Sequence, residues 1–318
     1  MKENNRLTTK NSRVLLKAIL TAGMLFALPL QANADEHTSW QDDEQSNWYM
    51  SSSVTGVTGT YSGSSLRDQF YSAGFIVTGE YLEQHGITFG YTNSNIKFKG
   101  DADSTSQNEF FLGGHKSFNT DGMNGTFDVR LNGHYISNND SSGDTDGVKV
   151  VAPLISYLNY KKSFYFDVGY AYSAYQNDLD VTQISPAIGL GFSKDSNWIQ
   201  LRGYFISSSN ATRSQGKSST AAGLLKFTHW FAPDNALQLH NASIGGMLGE
   251  RLYAVDVDNL SVYNLADVQK GSVAADLSWK IDNSISILLH ASYNLYENLT
   301  ISEKYNSSAA ALSLSKEW

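Results

Sequence analysis

The chain is expected to fold as an all-β transmembrane barrel, an up-and-down antiparallel meander of about 14 strands (roughly 12–16) following a cleaved signal peptide. Three observations predict it. Apolar and polar residues alternate at period 2 from about residue 47 to the C-terminus, the breaks alternate between short turns and longer loops, and the N-terminus reads as an export signal. Mean hydropathy is −0.32, with 41% hydrophobic and 17% charged residues. After the first 30 residues no stretch approaches the roughly 20 apolar residues a spanning helix needs.

Residues 1–34 carry the export features. Lys2, Arg6, Lys10, Arg13 and Lys17 form a positive region, Ala18 to Leu30 an apolar run, and Ala32-Asn33-Ala34 a small-x-small cleavage site. The segment takes five of the 23 basic residues and one of the 31 acidic residues, leaving 18 basic against 30 acidic in the mature chain. That balance argues against nucleic acid and against a polybasic membrane-surface binder. Residues 35–46, rich in acidic side chains, are expected to form a periplasmic tail, and 47–318 the barrel.

Fourteen segments follow, at about 47–60, 69–82, 87–99, 107–118, 125–138, 147–160, 164–175, 179–193, 197–209, 219–231, 236–249, 268–281, 284–297 and 305–318. The first, third, sixth and eleventh alternate poorly. The clearest is Gly271 to Ile281, where Val273, Ala275, Leu277, Trp279 and Ile281 oppose Ser272, Ala274, Asp276, Ser278 and Lys280. Tight turns such as Lys161-Lys162-Ser163, Asp195-Ser196, Pro233-Asp234-Asn235 and Asp282-Asn283 mark one side. Longer, mostly polar breaks, including Asn139 to Gly147, Asn210 to Ser218 and Arg251 to Asp267, mark the other.

A barrel of this size has a lumen too wide for single side chains to fill, so the polar face is expected to line water and the apolar face to meet lipid. Closure also satisfies every backbone amide where no water is available. Five tryptophans, Trp48, Trp198, Trp230, Trp279 and Trp318, fall at the short-turn ends of strands and are expected to form one interfacial girdle. Strict alternation puts Trp198 and Trp230 on the polar face, so a bulge or rim twist is required there.

The last strand, Ala309 to Trp318, resembles the C-terminal assembly signal of bacterial outer-membrane β-barrels, a terminal aromatic preceded by apolar residues at every second position. Leu314, Leu312 and Ala310 match, and Lys316 departs from the pattern. The resemblance implies an outer-membrane location, contact with lipid and lipopolysaccharide, and engagement of the barrel assembly machinery. The stretch Trp198 to Phe205 is loosely similar to strands of YaiO-like barrels associated with polysaccharide systems.

Chemistry is sparse. Cysteine is absent, which removes disulfides, Cys-ligated zinc, iron–sulfur clusters and thiol nucleophiles. No phosphate-cradling loop and no metal-ligand spacing is present, so no cofactor and no metal is expected. His115-x-Ser117 and His290-x-Ser292 have the spacing that puts both side chains on one strand face and resembles the pair used by lipid-acting barrel hydrolases, which face lipid; Ile285, Ile287, Leu289, Ala291 and Tyr293 hold the lipid face here and send His290 and Ser292 to the lumen. His240 and Ser243 lie on opposite faces, and a protease around Asp128 and His134 is weaker still. Asp101-Ala102-Asp103 and Asn139 to Asp146 read as solvated acidic loops.

The lumenal face is expected to carry Glu80, Glu109, Asp128, Arg130, His134, Asp167, Gln183, Gln200, Arg202, Lys226, Lys270, Asp276, Lys280 and His290, with Tyr165 and Tyr204. Charges of both signs with aromatics suit passage of small hydrophilic solutes, saccharides among them, in a field set by Arg130, Arg202, Lys226, Asp128 and Glu109. The alternatives are a non-conducting structural barrel or exopolysaccharide accessory, in which these residues pair across the lumen, and a lipid hydrolase.

Overall fold

Alternating sequences of 11–16 residues with tight turns between them can satisfy their backbone groups within a bilayer only by closing on themselves, and this chain does so. The computed structural model describes residues 47–318 except 83, 101–103, 141–143 and 195. The export segment 1–34 and the acidic tail 35–46 lie outside the described residues. The wall strands are β1 (Trp48–Ser62), β2 (Arg67–Tyr81), β3 (His85–Phe98), β4 (Thr105–Thr120), β5 (Gly125–Asn138), β6 (Val148–Asn159) and β7 (Phe164–Ala174). They continue as β8 (Asp180–Phe192), β9 (Asn197–Ser208), β10 (Ser219–Trp230) and β11 (Asn241–Arg251). A two-stranded hairpin, β12 (Val255–Asp256) with β13 (Ser261–Val262), interrupts the series before β14 (Val268–Lys280), β15 (Ile285–Asn298) and β16 (Glu303–Glu317).

Each wall strand pairs antiparallel with its neighbours, and β1 closes on β16 in a register running from Ser51 opposite Glu317 to Ser62 opposite Asn306. The Trp318 amide donates to the Met50 carbonyl at 2.8 Å, so the terminal aromatic belongs to the seam. All fourteen expected segments are wall strands. The eleventh was placed too early. Residues 231–240 form a long turn in which the Asn235 side chain accepts from the Leu239 amide at 3.0 Å and donates to the Ala232 and Leu239 carbonyls at 2.8 Å each. A one-turn 3-10 segment, Asp121–Met123, fills the connection between β4 and β5.

The outer face is an apolar belt. Val54, Phe75, Ile87, Leu112, Leu131, Ile155, Ile188, Leu201, Leu225, Ile244, Leu289 and Leu312 are all exposed on it. In water such a surface would be a large hydrophobic liability; in hydrocarbon it is matched to its solvent. Tyr71, Phe110, Tyr135, Tyr170 and Tyr293 ring the belt toward the long loops, and Phe118, Phe164 and Phe192 ring it toward the short turns. Here Tyr157 lies against Phe127 and Phe166, at ring separations of 5.0 and 5.7 Å, and donates its hydroxyl to the Met123 carbonyl.

The sixteen-residue connection between β11 and β14 departs from expectation. The sequence predicts one of the longer, mostly polar breaks at Arg251 to Asp267; the segment folds into the barrel instead, and nearly every residue from Leu252 to Asp267 is buried. Leu252, Tyr253, Ala254, Val255, Val257 and Val262 pack against the lumenal side chains of β5 to β9, notably Ile136, Val148, Val150, Ala152, Leu154, Val181 and Ile206. On the opposite wall Leu265 joins Val57, Tyr61, Phe70, Ile96, Phe98, Tyr296 and Tyr305. This explains three of the poorly alternating segments. β6 meets lipid on one side and the loop on the other and is apolar on both faces, whereas in β1 and β3 the loop-end lumenal positions Val57, Tyr61, Ile96 and Phe98 are apolar and the outer ones, Thr58, Thr60, Asn93, Asn95 and Lys97, are polar.

Candidate functional site

The inward loop is fastened at its two ends and its tip by polar groups on the wall. Gln183 of β8 treats Val255 as a strand neighbour, donating to its carbonyl at 2.6 Å and accepting its amide at 3.0 Å. Asp256 turns the hairpin by accepting the Asp258 and Asn259 amides at 3.2 Å each. Near the tip, Asp258 accepts from Arg202 at 2.7 and 2.9 Å. Arg202 also makes a two-pronged pair with Asp167, at 2.8 and 2.6 Å, so one guanidinium joins β7, β9 and the loop.

The exit of the loop is held in the same way. The Asp267 carboxylate accepts from Arg67 at 2.5 Å and from the Tyr305 hydroxyl at 2.6 Å, and its other oxygen takes Gln215 and Asn298. Asn264 donates to the Gln107 side chain at 2.9 Å and to the Thr145 carbonyl at 3.0 Å.

Packing toward β5 to β9 leaves space on the opposite wall. A partly open cavity of about 100 Å³ lies between the loop and strands β10, β11, β14, β15 and β16. The loop contributes Asp256, Asn259 and Tyr263, and the wall contributes Lys226, Arg251, Asp276, His290, Ser292 and Asn294. Asp276 is its hub, accepting from Ser243 at 2.5 Å and facing His290 Nδ1 at 2.5 Å, with Lys226 at 3.3 Å. Burial raises the Tyr263 phenol above its ordinary pKa, opposed by the neighbouring Arg251 charge, so Tyr263 is a neutral wall of the cavity.

The residues expected on the lumenal face are distributed unevenly. Glu109 and His134 face each other at 2.7 Å and are buried, while Asp128 takes Arg130 at 2.5 Å and Ser117 at 2.9 Å. Arg202 and Asp167 neutralise one another beneath the loop, so the field expected from Arg202, Glu109, Asp128 and Arg130 is largely cancelled by direct pairing. Glu80 and Lys280 share the lumenal face of Thr78 and Ser278 near the short-turn mouth. Lys270 is corrected. A bulge between Gln269 and Gly271 turns it out of the series, and its ammonium pairs with Glu250 and Glu297 at 2.5 and 3.4 Å, residues that alternate with lumenal Arg251, Tyr296 and Asn298.

The tryptophans divide as well. Trp48, Trp279 and Trp318 lie on the outer face, Trp48 beside Tyr81 at 5.4 Å, Trp279 donating to the Leu237 carbonyl, and Trp318 under the Lys316 ammonium at 3.6 Å. Trp198 and Trp230 do not join that girdle, because neither expected bulge forms. Trp198 keeps the register of Gln200 and Arg202 and its ring lies on lumenal Gly189, where an added Cβ would meet it at 2.3 Å. Trp230 shares the lumenal face of Lys226 and Thr228. Single-tryptophan variants in bilayers of chain-brominated lipid should show strong quenching of Trp48, Trp279 and Trp318 and weak quenching of Trp198 and Trp230. Equal quenching of all five would contradict this placement.

The His-x-Ser pairs face inward. Ser117 is engaged by Asp128 and His115 packs over Gly86, while His290 is engaged by Asp276. Neither pair meets the lipid that a barrel lipid hydrolase requires. Among the described residues, no group of three His, Cys, Asp or Glu side chains is arranged to hold a metal ion. The functional feature missed from sequence is the inward loop. Ten of the sixteen residues from 252 to 267 are apolar, unlike Asn210 to Ser218, and that density was the available signal.

A closed antiparallel barrel with an apolar, aromatic-bordered exterior and a polar, loop-constricted interior is a bacterial outer-membrane β-barrel. Its fold is shared with solved structures. A bacterial polysaccharide outer membrane secretin aligns with a TM-score of 0.50 at 8% identity, over 85% of this chain and 98% of that one. The Pseudomonas putida toluene transporter TodX aligns at 0.49 with 10% identity, over 86% and 90% of the two chains. The Acinetobacter baumannii outer membrane protein Omp33 aligns at 0.43 with 10% identity, over 86% and 100%. At 8% identity the likeness to the secretin bears on the fold alone. No protein-family model and no curated protein sequence matches the chain.

Proposed function

We propose that this barrel is a loop-constricted channel through which small hydrophilic solutes, saccharides among them, cross the outer membrane. The observation that carries the reading is the cavity left between the inward loop and β10 to β16. The loop packs its apolar face on one wall and presents Asp256, Asn259 and Tyr263 to the other, so the remaining space is bordered by hydrogen-bonding groups. A purely structural plug has no need of that asymmetry. Solutes pass in contact with Lys226, Asp276 and His290, whose polar groups are close enough together to exchange water for solute hydroxyls. In this reading Ala309 to Trp318 is the strand read by the barrel assembly machinery, and the outer belt is in contact with lipid and, at the long-loop rim, with lipopolysaccharide.

The apolar packing of the loop favours one second reading, a non-conducting barrel with a structural role or a role beside an exopolysaccharide system. Single-channel recording of the refolded protein in planar bilayers separates the two. Small, steady steps at high salt, reduced by added maltotriose and changed in ion selectivity by Lys226→Glu, are expected of the channel. A heat-modifiable, folded barrel without steps would discard it in favour of the closed barrel.

A further inference from the structure

Three arginines on lumenal positions are almost completely buried: Arg67 at 2%, Arg202 at 1% and Arg251 at 5% exposure. Two of them meet carboxylates directly, Arg67 with Asp267 and Arg202 with Asp167 and Asp258. Arg251 does not. Among the described residues no carboxylate lies within 4.0 Å of it. Its Nε and Nη2 donate to the side-chain oxygen of Gln269 at 3.1 and 2.8 Å, and it lies over the rings of Tyr204 and Tyr263, with the guanidinium carbon 4.8 and 4.5 Å from the ring centres.

A buried guanidinium without a directly paired carboxylate is costly, and Gln269, two aromatic rings and the longer-range charge of Asp256 offset only part of that cost. Asp256 turns both oxygens to the hairpin, to the Asp258 and Asn259 amides and the Asn259 side chain, so its charge reaches Arg251 without a direct ion pair. Asp276 is held by Ser243, His290 and Lys226. Arg251 nevertheless borders the partly open cavity, and the two rings together with Gln269 hold its guanidinium in place.

We infer that the cavity is a binding subsite for the anionic group, a carboxylate or a phosphate, of a small hydrophilic solute, with Arg251 as its fixed anchor. Lys226, paired with Asp276 at 3.3 Å, supplies a second cation at the cavity wall, and Asn259, Ser292 and Asn294 supply neutral donors and acceptors for hydroxyls of the same solute. The cavity holds several water molecules or one such charged head, so the solute is a monomer-sized acid rather than a polymer. This assignment rests on the solute-channel reading and narrows its substrate class from neutral saccharides to small polyhydroxylated anions.

The test is calorimetric titration of the folded protein, in an uncharged polyoxyethylene detergent, with gluconate, glucose 6-phosphate and glucose. At least one of the two anions should bind, glucose should bind at least tenfold more weakly, and Arg251→Gln should remove the difference while Arg251→Lys retains part of it. Preference for gluconate or for glucose 6-phosphate identifies the anionic group. Heat-modifiability of each variant establishes that it is folded, and if Arg251→Gln fails to fold, gluconate competition against glucose 6-phosphate in the unaltered protein decides the same point. Glucose binding as tightly as the anions, absence of anion binding, or unchanged anion affinity in folded Arg251→Gln overturns the inference. Anion binding without bilayer conductance keeps the subsite and discards the channel, whereas conductance without anion binding does the reverse.

Discussion

Replacing residues 254–264 by a short Gly-Ser turn is expected to raise single-channel conductance severalfold, the largest functional effect available in this molecule. The inward loop occupies the long-loop half of a fourteen-stranded lumen that side chains alone cannot fill, so its removal exchanges a constricted path for an open one. Keeping Arg251 and Asp267 preserves the strand ends and the Arg67 pair. The loop is not a loose flap. Burial of Leu252, Val255, Val257 and Val262 stabilises it by about 1.5–3 kcal/mol for each fully buried side chain, before the polar fastenings are counted. The unaltered protein should therefore show steady steps rather than frequent large openings. Folded barrels with and without the segment that conduct alike would show that the loop does not limit passage.

Arg202→Leu should be the most damaging single substitution for stability. Asp167, whose side chain is fully buried, would lose its two-pronged partner and remain as an uncompensated charge between wall and loop. Breaking such a buried pair from one side costs about 3–5 kcal/mol. The urea midpoint of the refolded barrel should fall accordingly, and the loop should lose its Asp258 anchor, giving noisier conductance. Removing both charges, with Asp167→Leu added, should recover most of the stability, because the penalty belongs to the orphaned carboxylate and not to the loss of attraction. Asp258→Asn should cost far less, since that carboxylate is one-third exposed and screened by solvent. A midpoint for Arg202→Leu within experimental error of the unaltered protein would show that Asp167 is not an isolated charge in the folded state.

The parts of the fold that depend on local pattern were legible in the residues. A strand that meets lipid on one side and water on the other must alternate, and β5, β7 and β14 do so plainly. Where a second buried surface replaced water, the pattern failed for the same reason. Val148, Val150, Ala152 and Leu154 are lumenal and apolar because the loop covers them, so β6 reads as a continuous apolar run rather than as a two-faced strand. Lys270 shows the limit of counting by twos, since one inserted residue at Gln269 to Gly271 moved it from the lumenal series to the outer rim.

The sequence by itself determined the number and direction of the wall strands, the side that faces lipid, and the aromatic seam at Trp318, since all of these follow from period-2 alternation and turn chemistry over neighbouring residues. Only the tertiary structure decided what fills the lumen. The contacts that draw residues 252–267 inward join Asp267 to Arg67, Asp258 to Arg202 and Asn264 to Gln107, pairs separated by 200, 56 and 157 residues along the chain. No local pattern encodes such partners; they meet because closing the barrel brings its far walls within reach of one loop.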